Sequence, residues 1–385
     1  MDFSYPAEVE QFRKELRAWL AANLTDDISR AGRRSGRDPL AFDTLRAWNR
    51  TMADAGWAAV SWPPEYGGRG ATVLEQLVYA EETTRVRAPL PLNVIGMNNI
   101  APAIMQYGTE SQKRTLLPRM IRTDDIWCQG MSEPEAGSDL ASLRTRAVRD
   151  ADEFVVNGQK IWTSLGHRAD WCQLYVRTDP EAPKHKGISC LIVDMTLPGI
   201  EVRPLVALNG TADFAELFFN DVRVPAASLL GPLNAGWQVA TTTLSHERAG
   251  AAKLYAGMQL KLQDLAADLA DSEIDGRPAL EDTATLRRLG EIAVRIKYLE
   301  VLCQRSISAT LHGGDAFSSA SVAKNVWGGV GQDLAALAFD TLGPQGAGGR
   351  WVDYRLTSRS LTIAGGTSQI NKNITAQRVL GMPRK

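Results

Sequence analysis

The sequence predicts a mainly α-helical protein with a β domain at its centre, because the spacing of apolar residues changes twice along the chain. Helical spacing holds from residue 1 to about 125, strand-like alternation from about 126 to 232, and helical spacing again from about 233. We therefore expect a helical N-terminal domain (1–125), a middle β domain (126–232) and a C-terminal helical bundle (233–385). A chain of 385 residues is long enough for two or three buried cores.

The N-terminal region begins with a pattern typical of a helix. Pro6 suits a first helical turn, and Phe12, Leu16, Trp19 and Leu20 fall on one face. No charged segment followed by an apolar one indicates a signal peptide, and no apolar stretch approaches the roughly 20 residues that span a bilayer. These patterns predict a soluble, cytoplasmic protein without a membrane span.

The middle region alternates between apolar and polar residues over short runs. Asn157-Gly158 separates two such runs, and this dipeptide supplies the positive φ angles of a tight turn, so a hairpin is expected there. Further strands are predicted over residues 172–177, 188–194, 201–206 and 216–224.

Two apolar stripes with helical spacing predict long helices in the C-terminal region. The stripes are Leu254, Met258, Leu262, Leu265 and Leu269, and then Leu286, Leu289, Ala293, Ile296 and Leu299. Residues 275–282, which contain Gly276 and Pro278, are expected to form a surface loop between these helices.

The composition excludes several classes of function. A net charge of −1 gives no field that would attract nucleic acid. The four cysteines have no C-x-x-C spacing and the four histidines are dispersed, which disfavours a disulfide scaffold and a metal centre. No G-x-G-x-x-G follows a predicted strand, and Walker A, G-x-S-x-G and H-E-x-x-H motifs are absent.

Two segments carry chemistry that the residues alone leave open. Residues 131–139, with Ser132 and Ser138, form either an inter-domain loop or a cradle for a planar polar ring. Glu247 and Arg248 form either a solvated helix face or part of a site.

Four runs, in order along the chain, resemble signatures of the acyl-CoA dehydrogenase family. They are residues 107–113 (YGTESQK), 131–139 (MSEPEAGSD), 158–164 (GQKIWTS) and 362–370 (TIAGGTSQI), and together they extend over nearly the whole chain. The resemblance implies an N-terminal helical domain, a middle β-barrel or sandwich, and a C-terminal four-helix bundle.

The resemblance also implies FAD as cofactor. Gln129, Met131 and Ser132 are expected to hydrogen-bond the pyrimidine edge of the flavin, and Ser164 to donate toward N5. Trp162 is expected to pack against the isoalloxazine ring; the alternative is a core tryptophan. Thr367 and Gln369 are expected to contact the adenosine half of FAD.

The reaction implied is α,β-dehydrogenation of an acyl-CoA thioester to the trans-2-enoyl-CoA. Many family members carry their catalytic glutamate in the C-terminal loop, where this chain has Gly365. Members similar to isovaleryl-CoA and long-chain dehydrogenases place the base on the helix that contains Glu247 here. Glu247 is then the expected general base, and the N–H of Gly365 the donor to the thioester oxygen. Ser138 and Arg248 are expected to contact or support the substrate.

Three departures from the family pattern concern the adenosine end of FAD. No arginine followed by Phe-Gly lies between Gln259 and Pro278, and Asp340 and Gly343-Pro344 replace a glutamine and a Gly-Gly pair. The expected assembly is a homotetramer that passes electrons to an electron-transfer flavoprotein. The alternatives are a non-catalytic or half-catalytic subunit of a mixed tetramer, and a flavin monooxygenase on the same scaffold.

Overall fold

The structure, a computed structural model, describes residues 4–34, 39–249, 254–314, 316–346 and 349–383. Side chains are not described for residues 33–34, 39–40, 245–249, 316–319 and 344–346. The chain divides into two compact units. The first comprises Met1–Leu24, Thr72–Ala88 and Arg248–Lys385, and the second comprises Thr25–Ala71 and Pro89–Glu247.

The helices are α1 (Ala7–Asn23), α2 (Asp26–Arg34), α3 (Pro39–Asp54), α4 (Val73–Arg85), α5 (Ala101–Tyr107), α6 (Glu110–Ile121), α7 (Gly236–Ala249), α8 (Leu254–Ala270), α9 (Thr283–Leu311), α10 (Ala316–Gly346), α11 (Arg350–Thr357) and α12 (Ser368–Ile374). A π-helical turn, Gly96–Ile100, leads into α5. Among the described residues, no helix is both long and apolar enough to cross a membrane.

The strands are β1 (Trp127–Gly130), β2 (Arg146–Asp150), β3 (Glu153–Ser164), β4 (Trp171–Arg177), β5 (Ile188–Asp194), β6 (Ile200–Leu205), β7 (Phe214–Pro225), β8 (Glu273–Ile274) and β9 (Arg277–Pro278). The first seven form one sheet in the order β1-β4-β2-β3-β7-β6, with β5 also paired to β4. β1 and β4 are parallel, and β3 and β7 are antiparallel. The expected succession of helices, a central sheet and helices is confirmed.

Alternation of side chains positions the core of this sheet. In β7, Ala215, Leu217 and Phe219 point inward between partly exposed neighbours, as a strand with one buried face requires. β4 and β5 are buried along almost their whole length. The predicted strand at 172–177 extends one residue further, to Trp171, and the other strand predictions hold to within one or two residues.

The hairpin predicted at Asn157-Gly158 is wrong. β3 runs without a break through both residues, and the tight turn comes earlier, between Asp150 and Glu153, where Ala151 has φ 51°. Asn157 instead exchanges two hydrogen bonds with Asp221 on β7 (2.9 and 3.0 Å). The register with β7 shifts between Val156 and Gly158, so the dipeptide forms a bulge.

The loop predicted at 275–282 is partly regular. Asp275 (φ 53°) and Gly276 (φ 74°) form the two-residue turn of a short hairpin, β8–β9, which a 3₁₀ turn over Ala279–Glu281 follows. The predicted stripe of α9 also shifts, because Leu286 is 46% exposed and Thr285 takes the inward position. The stripe of α8 is confirmed at Met258, Leu265 and Leu269.

A buried carboxylate joins α1 to α4 in the first unit. Glu82 accepts hydrogen bonds from Arg13 (2.8 Å), Arg17 (2.7 and 2.8 Å) and Arg85 (2.9 Å). Burial raises the pKa of Glu82, but the three guanidinium groups outweigh this effect and lower the pKa to about 2. The helices are therefore joined by a charged cluster as well as by apolar packing.

The low pKa of Glu82 makes part of the stability dependent on pH. An unfolded glutamate titrates near 4.5, so this contribution is complete above that pH and is lost as the pH falls toward about 2. Glu82→Gln should lower the free energy of unfolding by about 1–3 kcal/mol at pH 7, since two of the three arginines are about half exposed and solvent weakens their share. Urea unfolding at pH 7 and pH 3 measures both effects. Glu110→Gln, which removes an exposed ion pair with Lys113, is the control, and equal losses in the two variants would contradict the prediction.

Candidate active site

The first part of the candidate site follows the end of β1. The segment after Gly130 folds back on itself, because Glu133 and Ala136 exchange two backbone hydrogen bonds of 3.0 Å. The carbonyl of Ser132 accepts from the N–H of Ile161 on β3 (2.9 Å). Met131 and Ser132 are thereby held half-buried beside the end of β3.

A buried ion pair holds this segment to the sheet. Lys160 has no exposed side-chain surface, and its Nζ donates to Glu133 Oε1 (2.8 Å) and to the carbonyl of Met131 (3.1 Å). Glu133 also accepts from the backbone N–H groups of Arg144 (2.6 Å) and Thr145 (2.8 Å). A buried charge pair needs such additional donors to offset its desolvation.

The ion pair shifts the pKa of both partners. Burial raises the pKa of Glu133, but the Lys160 ammonium and the neighbouring donors outweigh it, so the pKa falls below its usual value. Burial lowers the pKa of Lys160 despite the facing carboxylate. Sequence reasoning assigned no role to Glu133 or Lys160. The available signal was a lysine within an otherwise apolar series of inward positions on β3.

Trp162 lies at the end of β3 and is 59% exposed. Its interpretation as a core tryptophan is therefore wrong. The residue has φ 59°, which costs a non-glycine residue about 1–3 kcal/mol and marks sites where the surrounding fold imposes the conformation. The register of β3 against β7 shifts between Lys160 and Thr163, and the indole ring makes an edge contact with Phe214 (5.8 Å).

Polar groups around Trp162 are left unsatisfied. Among the residues that the structure describes, none hydrogen-bonds the backbone N–H of Met131 or Ser132, or the hydroxyls of Ser132 and Ser164. An exposed aromatic face beside half-buried, unpaired donors matches a flat ring with acceptor atoms along its edge. The isoalloxazine of FAD has this chemistry, so these residues fit the expected cofactor.

The region of Ser138 carries an exposed ion pair. Ser138 is exposed, and the adjacent Asp139 binds Lys184 Nζ through both carboxylate oxygens (2.9 Å each). Arg177 donates to the carbonyls of Ala141 (2.6 Å) and Lys184 (2.8 Å), which ties the two loops together.

The C-terminal loop belongs to the other unit. Gly365 (φ 66°) and Gly366 (φ 87°) both adopt the left-handed region that glycine favours. Thr367 caps α12 by accepting from the N–H of Ile370 (3.1 Å), and Asn371 donates to the carbonyls of Gly366 (2.8 Å) and Thr367 (3.1 Å). Gln369 is exposed.

Glycines on α10 let the chain preceding this loop approach closely. A methyl group at Gly328 would lie 3.0 Å from the carbonyl oxygen of Leu361, which Lys324 Nζ contacts at 2.8 Å. Gln332 donates to Ser358 and Thr362 (3.2 and 3.1 Å). The conformation at Gly365 is thus supported from both sides.

Glu247 and Arg248 lie in the last turns of α7, but their side chains fall outside the described residues, as does that of Pro344. Asp340, one of the departures from the family pattern, accepts from Arg288 (2.9 Å). Within the described part of the chain, no cluster of three or more His, Cys, Asp or Glu residues could hold a metal ion.

Lys160→Met should lower the free energy of unfolding by about 3–5 kcal/mol, because it leaves Glu133 buried without its counter-charge. Urea unfolding measures the loss, and adding Glu133→Gln should recover part of it. Lys184→Met is the matched control: its ion pair with Asp139 is exposed, so the expected loss is at most about 1 kcal/mol. Equal losses for the two lysine variants would show that the buried pair does not stabilise the loop.

Three family models match successive parts of the chain. The N-terminal, middle and C-terminal domains of acyl-CoA dehydrogenase match residues 6–124, 128–222 and 234–380.

The chain is 38% identical to "Acyl-CoA dehydrogenase IpdE1" of Mycobacterium tuberculosis, over 98% of this chain and 99% of the relative. A solved structure described as "Tcur3481-Tcur3483 steroid ACAD" superposes with a TM-score of 0.88 at 32% identity, and all of both chains is covered. The ChsE4-ChsE5 complex from Mycobacterium tuberculosis gives a TM-score of 0.86 at 34% identity, again with complete coverage of both chains. The chain belongs to the acyl-CoA dehydrogenase family of FAD-dependent flavoproteins.

Proposed function

We propose that this protein removes the α-proton and β-hydride of an acyl-CoA thioester, forming the trans-2-enoyl-CoA, with Glu247 as general base. The observation that carries the proposal is the set of unpaired donors at Met131, Ser132 and Ser164 around the exposed ring of Trp162. These groups are suited to orient a flavin at the end of β3. The bound FAD supplies the hydride acceptor.

The remaining steps belong to residues of the chain. The α-proton of a thioester is too weakly acidic for a carboxylate in water, so donors must stabilise the developing enolate oxygen. The N–H of Gly365 is proposed as one such donor, and its positive φ favours the absence of a side chain there. Glu247 takes the proton, and an apolar acyl chain beside it would raise its pKa and ease the transfer.

The phosphates of coenzyme A need cationic or hydrogen-bonding partners. Ser138 lies beside Asp139, and the loop that pairs with Asp139 through Lys184 also exposes Lys186. We place the phosphates of coenzyme A near this loop. Arg248, next to the base, is proposed to support the substrate from α7.

The space left at Gly365 favours a bulky acyl group, because a glutamate side chain would otherwise fill it. One of the similar solved structures is described as a steroid acyl-CoA dehydrogenase, and its chain is covered completely. We therefore propose a polycyclic or branched acyl-CoA as substrate. Thioesters of graded length, branching and ring content, offered with an artificial electron acceptor, test this choice.

The adenosine end of FAD favours a mixed assembly. Asp340 is occupied by Arg288, the arginine before Phe-Gly is missing, and similar structures include the two-component ChsE4-ChsE5 complex. We propose a heterotetramer in which a related subunit completes this end of the site, with an electron-transfer flavoprotein as acceptor. One alternative is an active homotetramer in which Thr367 and Gln369 contact the adenosine. The other is a non-catalytic subunit.

The protein purified alone and after co-expression with a related subunit distinguishes these assemblies. Yellow, FAD-loaded protein from the single chain supports the homotetramer, and FAD present only in the co-purified complex supports the heterotetramer. Colourless protein in both preparations, with no reduction by acyl-CoA, would reject the proposed function. Product hydroxylation by oxygen would indicate a flavin monooxygenase.

Glu247→Gln should keep FAD bound and slow flavin reduction by acyl-CoA roughly 10²–10⁴-fold, the usual contribution of a general base. Stopped-flow absorbance of the anaerobic holoenzyme measures the rate. Glu201→Gln, at an exposed ion pair with Arg203 on β6, is the control and should react at the wild-type rate. A Glu247→Gln variant reduced as fast as wild type removes this residue from the mechanism.

Trp162→Ala should weaken FAD binding about tenfold, since it removes an aromatic contact with the isoalloxazine. Because the side chain is largely exposed, the free energy of unfolding of the apoprotein should change by less than about 1 kcal/mol. Fluorescence titration with FAD and urea unfolding separate the two effects. Val148→Ala, at an exposed apolar residue of β2, is the control. Unchanged FAD affinity in Trp162→Ala would reject the cofactor role.

A further inference from the structure

Buried polar side chains form a continuous chain of hydrogen bonds inside the second unit. Asn99 Nδ2 donates to Gln129 Oε1 (3.3 Å), and Gln129 Nε2 donates to Gln173 Oε1 (3.0 Å). Gln173 Nε2 reaches Thr243 Oγ1 at 3.5 Å, and the hydroxyl of Tyr175 lies 3.3 Å from the same oxygen. Gln173, Tyr175 and Thr243 have no exposed surface.

This hydrogen-bond network fixes which side of each glutamine amide carries the oxygen and which the nitrogen. Gln173 contacts a donor at its oxygen and a hydroxyl at its nitrogen, so turning its amide over would face nitrogen to nitrogen at Gln129. The amide of Gln129 is oriented in the same way, because its oxygen faces the amide nitrogen of Asn99. Buried polar groups are costly when unpaired, so these contacts act together.

The hydrogen-bond network connects two elements to which different functions are assigned. Gln129 belongs to β1, directly before the Met131–Ser132 segment. Asn99 comes from the π-helical turn Gly96–Ile100, and such turns re-aim side chains and are frequent at functional sites. Thr243 belongs to α7, and position 247 is one helical turn further along the same face.

We infer that Gln173 and Thr243 are positioning residues that hold the base-bearing helix α7 at a fixed setting against the flavin-contacting strand β1. The inference rests on the proposed function, because that function places the flavin edge next to Gln129, on one side of the hydrogen-bond network, and Glu247 next to Thr243, on the other. Neither residue is proposed to touch the reacting atoms. Gln173 fixes the orientation of the Gln129 amide, and Thr243 fixes the rotation of α7 about its axis.

Isosteric variants test the β1 side and the α7 side of the hydrogen-bond network separately. Thr243→Val and Gln173→Met remove the hydrogen bonds while keeping the volume, and Thr243→Ser keeps the hydroxyl. Thr242→Val is the matched control, since this neighbour on α7 binds Tyr107 (3.1 Å) outside the chain. The measurements are the FAD dissociation constant, the visible spectrum of bound FAD, and the rate of flavin reduction by acyl-CoA in the holoenzyme, all well below the unfolding temperature.

Gln173→Met should weaken FAD binding several-fold and shift the flavin spectrum, because Gln129 is released. Thr243→Val should slow flavin reduction about tenfold with unchanged FAD affinity, and Thr243→Ser should restore most of the rate. Thr242→Val should match wild type in every measurement. A flavin spectrum, affinity and reduction rate within twofold of wild type for Gln173→Met and Thr243→Val overturn the inference.

The same measurements distinguish failure of the proposed function from failure of this inference. Wild-type holoenzyme that no acyl-CoA reduces would reject that function, while the FAD affinity and spectrum of Gln173→Met still test the β1 end. Should Gln173→Met prove unfolded, Asn99→Leu probes the same end through Gln129, and an unaltered FAD affinity and spectrum in that variant overturn the inference there.

Discussion

The buried pair of Lys160 and Glu133 is the interaction on which the candidate site depends most. It joins β3 to the segment after β1, and the two carry the groups proposed to orient the flavin. Because Glu133 also accepts the N–H groups of Arg144 and Thr145, the pair fixes the start of β2 as well. A hydrophobic pair of the same volume could fill this space, but it would leave the carbonyl of Met131 and these two N–H groups without partners.

Trp162 and the loop at Gly365 use backbone strain in different ways. Trp162 is a bulky residue held at a positive φ, and the sheet on either side of it imposes that conformation through a shift in register. Gly365 and Gly366 adopt positive φ angles at little cost, and the close approach of residues 358–362 to α10 supports them. A strained aromatic residue suits a fixed wall beside a cofactor, whereas a glycine adopts a positive φ with little strain and suits a backbone donor.

The adenosine end of FAD shows how local pairing changes an expectation drawn from the family. Asp340 accepts a hydrogen bond from Arg288, at a position where the family resemblance leads us to expect a glutamine. The residues expected to orient the flavin ring are therefore present in the sequence, whereas those expected at the adenosine end are replaced. This separation is the physical basis for proposing that a second kind of subunit takes part.

Apolar periodicity and short ordered motifs are local properties of a sequence. They were therefore enough to predict the succession of helices, sheet and helices, the buried faces of α1, α8 and the central strands, and the family. The sequence also identified Gly365, whose φ is positive in the structure. The bulge at Asn157-Gly158 could not be predicted in this way, because the partner Asp221 is 64 residues away. Contacts between distant strands and helices likewise decide the exposure of Trp162, the pairing of Lys160 with Glu133 and the hydrogen-bond network from Asn99 to Thr243. No local pattern of residues specifies which of these distant groups will meet.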